Sequence, residues 1–136
     1  MPRSASARNR WLRFGLMASL ALASVLVIPV RAQSAAESKP YDDKLVELAE
    51  ILGAVHYLRE LCGANDGQLW RDRMRELIES EGASALRRAK LTRSFNNGYR
   101  SYSRTYQSCS PTAQTAINRF LENGAQIADQ LVKTVP

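Results

Sequence analysis

Metal, haem and most redox chemistry need clustered histidine or cysteine. This chain has one histidine, His56, and two cysteines, Cys62 and Cys109, in 136 residues. No zinc or haem site is readable from so few ligands, and neither a metal nor a cofactor is expected. Hydrolase signatures are missing as well: there is no G-x-S-x-G, no S-x-x-K and no Ser-His-Asp spacing. Repeats and low-complexity tracts are absent, which excludes a solenoid. Acidic residues are lacking over 82–119, where seven bases stand alone.

Acid is also missing from the N-terminal segment. Arg3, Arg8, Arg10 and Arg13 precede an apolar run over 16–30, broken late by Pro29, and Val30-Arg31-Ala32 offers a small-residue cleavage site. Residues 1–32 are therefore expected to be a signal peptide cut after Ala32, followed by a flexible lead-in over 33–40 and a helical domain over 41–134. Retention as a signal anchor is the alternative, and the N-terminal segment would then be the only contact with the membrane. In both cases the arginines hold the N-terminus inside and the remainder is exported, so a periplasmic location is expected. The segment has neither an Arg-Arg pair for a twin-arginine route nor a cysteine near Ala32 for lipid attachment.

The leader also distorts the charge. The whole chain carries +6, but five of its arginines lie in 1–32. The 104 residues left from 136 have 14 basic and 13 acidic side chains, a net +1. A nucleic-acid partner inferred from the high isoelectric point is thereby excluded. What persists is asymmetry: residues 37–81 hold 11 acids and 6 bases, ahead of the purely basic 82–119. This favours pairing of the first half with the third helix. The length fits one domain. In an exported chain Cys62 and Cys109 are expected to form a disulfide, with two buried free thiols as the alternative. Closing a loop of that size stabilises the fold by about 4 kcal/mol.

Helical spacing dominates from Asp42 onward. Leu45, Leu48, Ile51, Leu52, Val55, Leu58 and Cys62 form a broad apolar face, with Asp42 and Asp43 in the first turn and Gly63 at the end. Val46, Gly53, Tyr57 and Leu61 make a second strip, so this helix is the most buried or meets a partner. Asp66 is the expected N-cap of a shorter helix to Glu81, with Trp70, Met74, Leu77 and Ile78 on one face. Gly82 ends it, and Ser84 caps a third helix expected to run to Ser108, with no proline to break it. Gly98 leaves room there for a close neighbour. Ser110 and Pro111 open the fourth helix, whose inner face is Ala113, Ile117, Phe120, Gly124, Ile127 and Leu131. Short turns between helices predict an all-α four-helix up-down bundle with one disulfide. Cys62 and Cys109 end the first and third helices, at the same pole of such a bundle.

Leu91, Phe95, Tyr99, Tyr102, Tyr106 and Cys109 form one stripe of the third helix. At about 100° per residue the three tyrosines fall within roughly 40° of Phe95, whereas Lys90, Arg93, Arg100 and Arg104 fall roughly 140–220° away. Aromatic and basic groups are therefore not interleaved as a single-strand nucleic-acid platform requires. The basic face, Lys90, Arg93, Arg100 and Arg104, is the candidate surface for a protein partner in the cell envelope. Trp70, Tyr99, Tyr102 and Tyr106 are the candidate lining of a pocket for a small ligand or envelope glycan, against the alternative that they are core. No catalytic residue is assigned. His56 and Glu50 are all that an enzyme could draw on, and a lone histidine is usually a flank or core residue. The Asp43, Glu47 and Glu50 row reads as a solvated face.

Pro40-Tyr41-Asp42, Leu48-Ala49-Glu50-Ile51-Leu52-Gly53, His56-Tyr57-Leu58-Arg59, Leu61-Cys62-Gly63, Trp70-Arg71-Asp72 and Phe95-Asn96-Asn97-Gly98-Tyr99-Arg100 resemble a family of short exported alphaproteobacterial proteins, catalogued only as a domain of unknown function. The resemblance spans residues 40–131. It implies export and a Cys62–Cys109 pair, and supplies no activity. The expectation is a small exported helical protein, non-enzymatic, acting in protein interaction or envelope support.

Overall fold

The 3.6-residue periodicity becomes four helices: α1 (Asp42–Leu61), α2 (Leu69–Glu81), α3 (Ala85–Thr105) and α4 (Pro111–Thr134). The structure, a computed structural model, describes residues 38–134. The expected signal segment, its cleavage site and most of the lead-in lie outside the described residues. The fold is an all-α up-and-down bundle, without strands among the described residues. No helix among them is long and apolar enough to cross a membrane.

The hub is α1. Residues 51–56 are buried in unbroken succession, so its middle is covered on every side. α3 packs on it most extensively, followed by α4 and α2. One reason is that both apolar strips of α1 are used. Leu45, Ile51, Leu52 and Val55 join Met74, Phe95, Ile127 and Leu131 in the main core. Beyond Val46, the second strip is not a free partner surface. Gly53 abuts the α3 backbone, Tyr57 lies edge-on to Tyr99, and Leu61 packs beside the smaller core of Leu58, Ala113 and Ile117. Full burial of Leu58 and Val55 contributes about 2 kcal/mol each.

Helix ends follow their caps. After α1, Gly63 takes φ 71° while its N–H reaches the Glu60 carbonyl (3.1 Å) and the Ala64 N–H reaches that of Arg59 (2.9 Å). The Ser84 hydroxyl accepts from the Arg87 N–H at 3.1 Å, and the Ser110 hydroxyl from the Ala113 N–H at 3.2 Å. Two expectations need correction. Asp66 does not cap α2, which begins only at Leu69 behind Gln68 with no side-chain cap. Its carboxylate is drawn instead to Arg59 and Trp70. α3 stops at Thr105, short of Ser108, because Tyr106 is extended (φ −116°, ψ 116°) and its carbonyl accepts from the Tyr57 hydroxyl. The extended link carries the chain to Cys109, bonded to Cys62 with the two Cα atoms 4.8 Å apart.

The opposite pole is held by charge. Arg87, 8 % exposed, reaches Asp42 Oδ1 at 2.5 Å, Glu81 Oε2 at 3.4 Å and the Glu81 backbone carbonyl. Lys39 and the Tyr41 hydroxyl also converge on Glu81, each at 3.3 Å. The starts of α1 and α3 are thus clamped to the end of α2. The acid-to-base pairing foreseen between the first half and the third helix is made here.

Candidate binding surfaces

Elsewhere on α3 that pairing is not made. Lys90, Arg93, Arg100 and Arg104 are all exposed, and among the described residues none has a carboxylate within 4.0 Å. Arg100 donates only to the Asn97 amide, at 3.1 Å. Steps of 3, 7 and 4 residues keep these cations on one line of the helix, roughly 21 Å long at 1.5 Å per residue. The aromatic face of the same helix turns inward, as its angular separation requires.

The four candidate pocket residues do not share one cavity. Tyr102 and Tyr106 stack on each other (6.2 Å, 7°) near the disulfide, and Tyr102 meets Phe120 edge-on at 4.8 Å. Burial raises the Tyr102 hydroxyl above its ordinary pKa. Trp70 and Tyr99 lie on the other side, around a polar cavity of about 580 Å³ that His56, Arg59, Glu60 and Arg71 also line. The reason is the α1–α3 crossing. Tyr99 leans over His56 and Tyr57, whereas Tyr102, nearly one turn later, lies on the α4 side of α1 beside Glu50, Ala54 and Phe120.

His56 is a core residue with a polar contact. It is 4 % exposed, its ring faces Phe95 (6.1 Å) and Tyr99 (5.7 Å), and its Nε2 accepts from Arg71 Nε at 2.8 Å. Burial first, and the Arg71 charge second, hold it below its usual pKa. Glu50 lines a separate cavity of about 240 Å³ with Tyr102 and Asn123, so the two residues an enzyme could have drawn on do not converge. Beside His56, Arg59 grips Asp66 through two nitrogens and Trp70 Nε1 adds a third bond at 2.8 Å. The guanidinium contact, then the indole, bring the Asp66 carboxyl down to about 2.

One further surface was not among the expected ones. α2 and α4 flank α1 but stand apart, leaving an apolar groove of about 650 Å³. Its floor is Leu48, Ile51, Leu52 and Val55, and its walls are Trp70 and Leu77 on one side and Phe120 and Leu121 on the other. The flanking positions Leu121 and Ala128 of α4 were the available signal, since they widen its apolar face beyond one contact. Among the described residues no group of three or more His, Cys, Asp or Glu is placed to hold a metal ion.

A disulfide-tied four-helix bundle whose first and third helices cross at Gly53 and Gly98 defines the class as all-α. Residues 40–135 match the family described as Protein of unknown function (DUF2385), and the chain belongs to that family. No curated protein and no solved structure matches it.

Proposed function

We propose that this chain is an exported, non-enzymatic interaction protein of the periplasm that docks an acidic protein partner on the outer face of α3. The observation that carries the reading is the row Lys90, Arg93, Arg100 and Arg104, exposed and without carboxylate partners among the described residues, in a chain that neutralises Arg59, Arg73, Arg75 and Arg87 internally. Segregated charge of one sign on a rigid helix steers an oppositely charged partner and sets its register. Proximity cross-linking in the periplasm, followed by mass spectrometry, tests it. Arg100→Glu with Arg104→Glu removes the cross-linked partner while the fold persists. Retention of every partner overturns the reading.

A second reading, a binder of a small apolar ligand, rests on the groove between α2 and α4. Its volume and apolar lining are those of ligand clefts, and Trp70 supplies one wall. An apolar fluorescent naphthylamine is expected to bind there and to be excluded by Ala125→Trp. Binding unaffected by that substitution removes the reading.

A further inference from the structure

The polar cavity between the α1–α2 turn and Tyr99 contains two arginines in different states. Arg59 is consumed by its bidentate pairing with Asp66. Among the described residues Arg71 has no carboxylate within 4.0 Å, and its side chain donates there only from Nε to the buried His56. An imidazole that accepts from a guanidinium is neutral at that nitrogen, so His56 orients Arg71 without cancelling its charge. With Nε occupied, the two terminal nitrogens remain as a fork. That fork matches a carboxylate end-on. Two aromatic residues, Trp70 and Tyr99, line the same cavity. Glu60 at its edge disfavours a second negative charge, and so disfavours a phosphate dianion.

We propose that this cavity binds a monocarboxylate with an apolar body, the carboxylate held by Arg71 and the body laid against Trp70 and Tyr99. The site is separate from the basic row on α3 and does not depend on a partner docking there. The carboxylate is that of a small acid or of a peptide C-terminus. The titratable and charged groups facing the cavity are His56, Arg59, Glu60, Asp66, Arg71 and Tyr99.

The test uses the full chain carrying Trp11→Phe, which leaves Trp70 as the single tryptophan. N-acetylphenylalanine, its amide, and an acetylated tripeptide ending in free phenylalanine are titrated against Trp70 fluorescence and the His56 ring resonances. The site predicts saturable binding of the free acid, the tripeptide or both. The amide is at least roughly tenfold weaker, the factor that loss of a charged hydrogen bond brings. Binding also raises the His56 pKa, since the bound anion offsets the Arg71 charge. Arg71→Gln, verified as folded by circular dichroism, weakens binding to the same degree, whereas Arg100→Glu with Arg104→Glu leaves it unchanged. Binding of the tripeptide alone assigns the C-terminus of a peptide; binding of the acid assigns a small carboxylate. Absence of binding by both to about 10 mM, an affinity too weak for a site, overturns the proposal. So does equal binding of the amide, or binding that Arg71→Gln leaves intact.

Discussion

Gly53 of α1 and Gly98 of α3 pack each against the other's helix with no room for a side chain. A Cβ on Gly53 would lie 1.9 Å from the Phe95 carbonyl oxygen, and one on Gly98 would lie 2.0 Å from the Glu50 carbonyl oxygen. Both obstacles are backbone, so no rotamer change relieves them. The central crossing of the bundle is thereby fixed by what these two positions lack.

Gly53→Ala and Gly98→Ala are each expected to destabilise the protein by roughly 3 kcal/mol, near the upper end for overpacking, even though alanine favours a helix by about 1 kcal/mol. Combining them costs less than the sum, because helices already forced apart by one methyl accommodate the second. Urea denaturation midpoints of the two single variants and the double variant test this. Additive losses would count against a shared crossing.

The disulfide is expected to contribute about 4 kcal/mol through loop closure, given the sequence separation of 47 from Cys62 to Cys109. Reduction, or Cys62→Ser with Cys109→Ser, lowers the denaturation midpoint accordingly. Intact mass of the oxidised chain falls two hydrogens short of the reduced one. A fully alkylatable pair in the native protein would contradict the bond.

At the other pole, Arg87→Met is expected to cost about 3 kcal/mol, since it strands two partly buried carboxylates, Asp42 and Glu81. Arg100→Met, on the exposed face of the same helix, changes stability by about 0.5 kcal/mol or less. Thermal melts of the two variants side by side separate the structural arginine from the surface one.

Much of this architecture was legible because helical periodicity, capping serines and terminal glycines are local signals. Ser84, Ser110, Gly63 and Gly82 act where spacing puts them. The α3 terminus was not, because Tyr106 leaves the helix for a bond to Tyr57, 49 residues away. Asp66 reads locally as a cap, yet Arg59 and Trp70 compete for its carboxylate across a turn whose shape no pattern encodes. The candidate surfaces divide in the same way. Opposite faces of one helix were readable from angles alone, so the outward basic row was foreseen. Whether Trp70 shares a cavity with Tyr99 or with Tyr102 depends on how helices cross, and Gly53 with Gly98 set that crossing.

The Asp66 carboxyl, held near 2 against 3.8 for the free group, ties stability to pH. A carboxylate whose folded pKa is depressed contributes stability that is complete above the unfolded value and is lost as pH falls through the folded one. For Asp66 that window runs from about 4 down to about 2. The melting temperature of the native protein should therefore exceed that of Asp66→Asn by a constant margin above pH 5, with the gap narrowing below pH 4.

His56 acts in the same direction over a higher window. Its folded pKa lies below 6.5, through burial and the Arg71 charge, so the unfolded chain takes up a proton before the folded one does. The neutral, buried state thus contributes stability fully present above pH 6.5 and progressively lost as pH falls from there through the folded pKa. His56→Gln keeps an acceptor for Arg71 and cannot titrate, so its stability should be flat between pH 7 and 5 where the native protein declines. If both decline equally, the loss arises elsewhere and His56 is not the group responsible. Because Arg71 is one of the two causes, Arg71→Gln is expected to bring the His56 pKa back toward 6.5 and to shrink the native decline. A histidine NMR titration of that variant reads the shift directly, and an unchanged titration would detach His56 from Arg71.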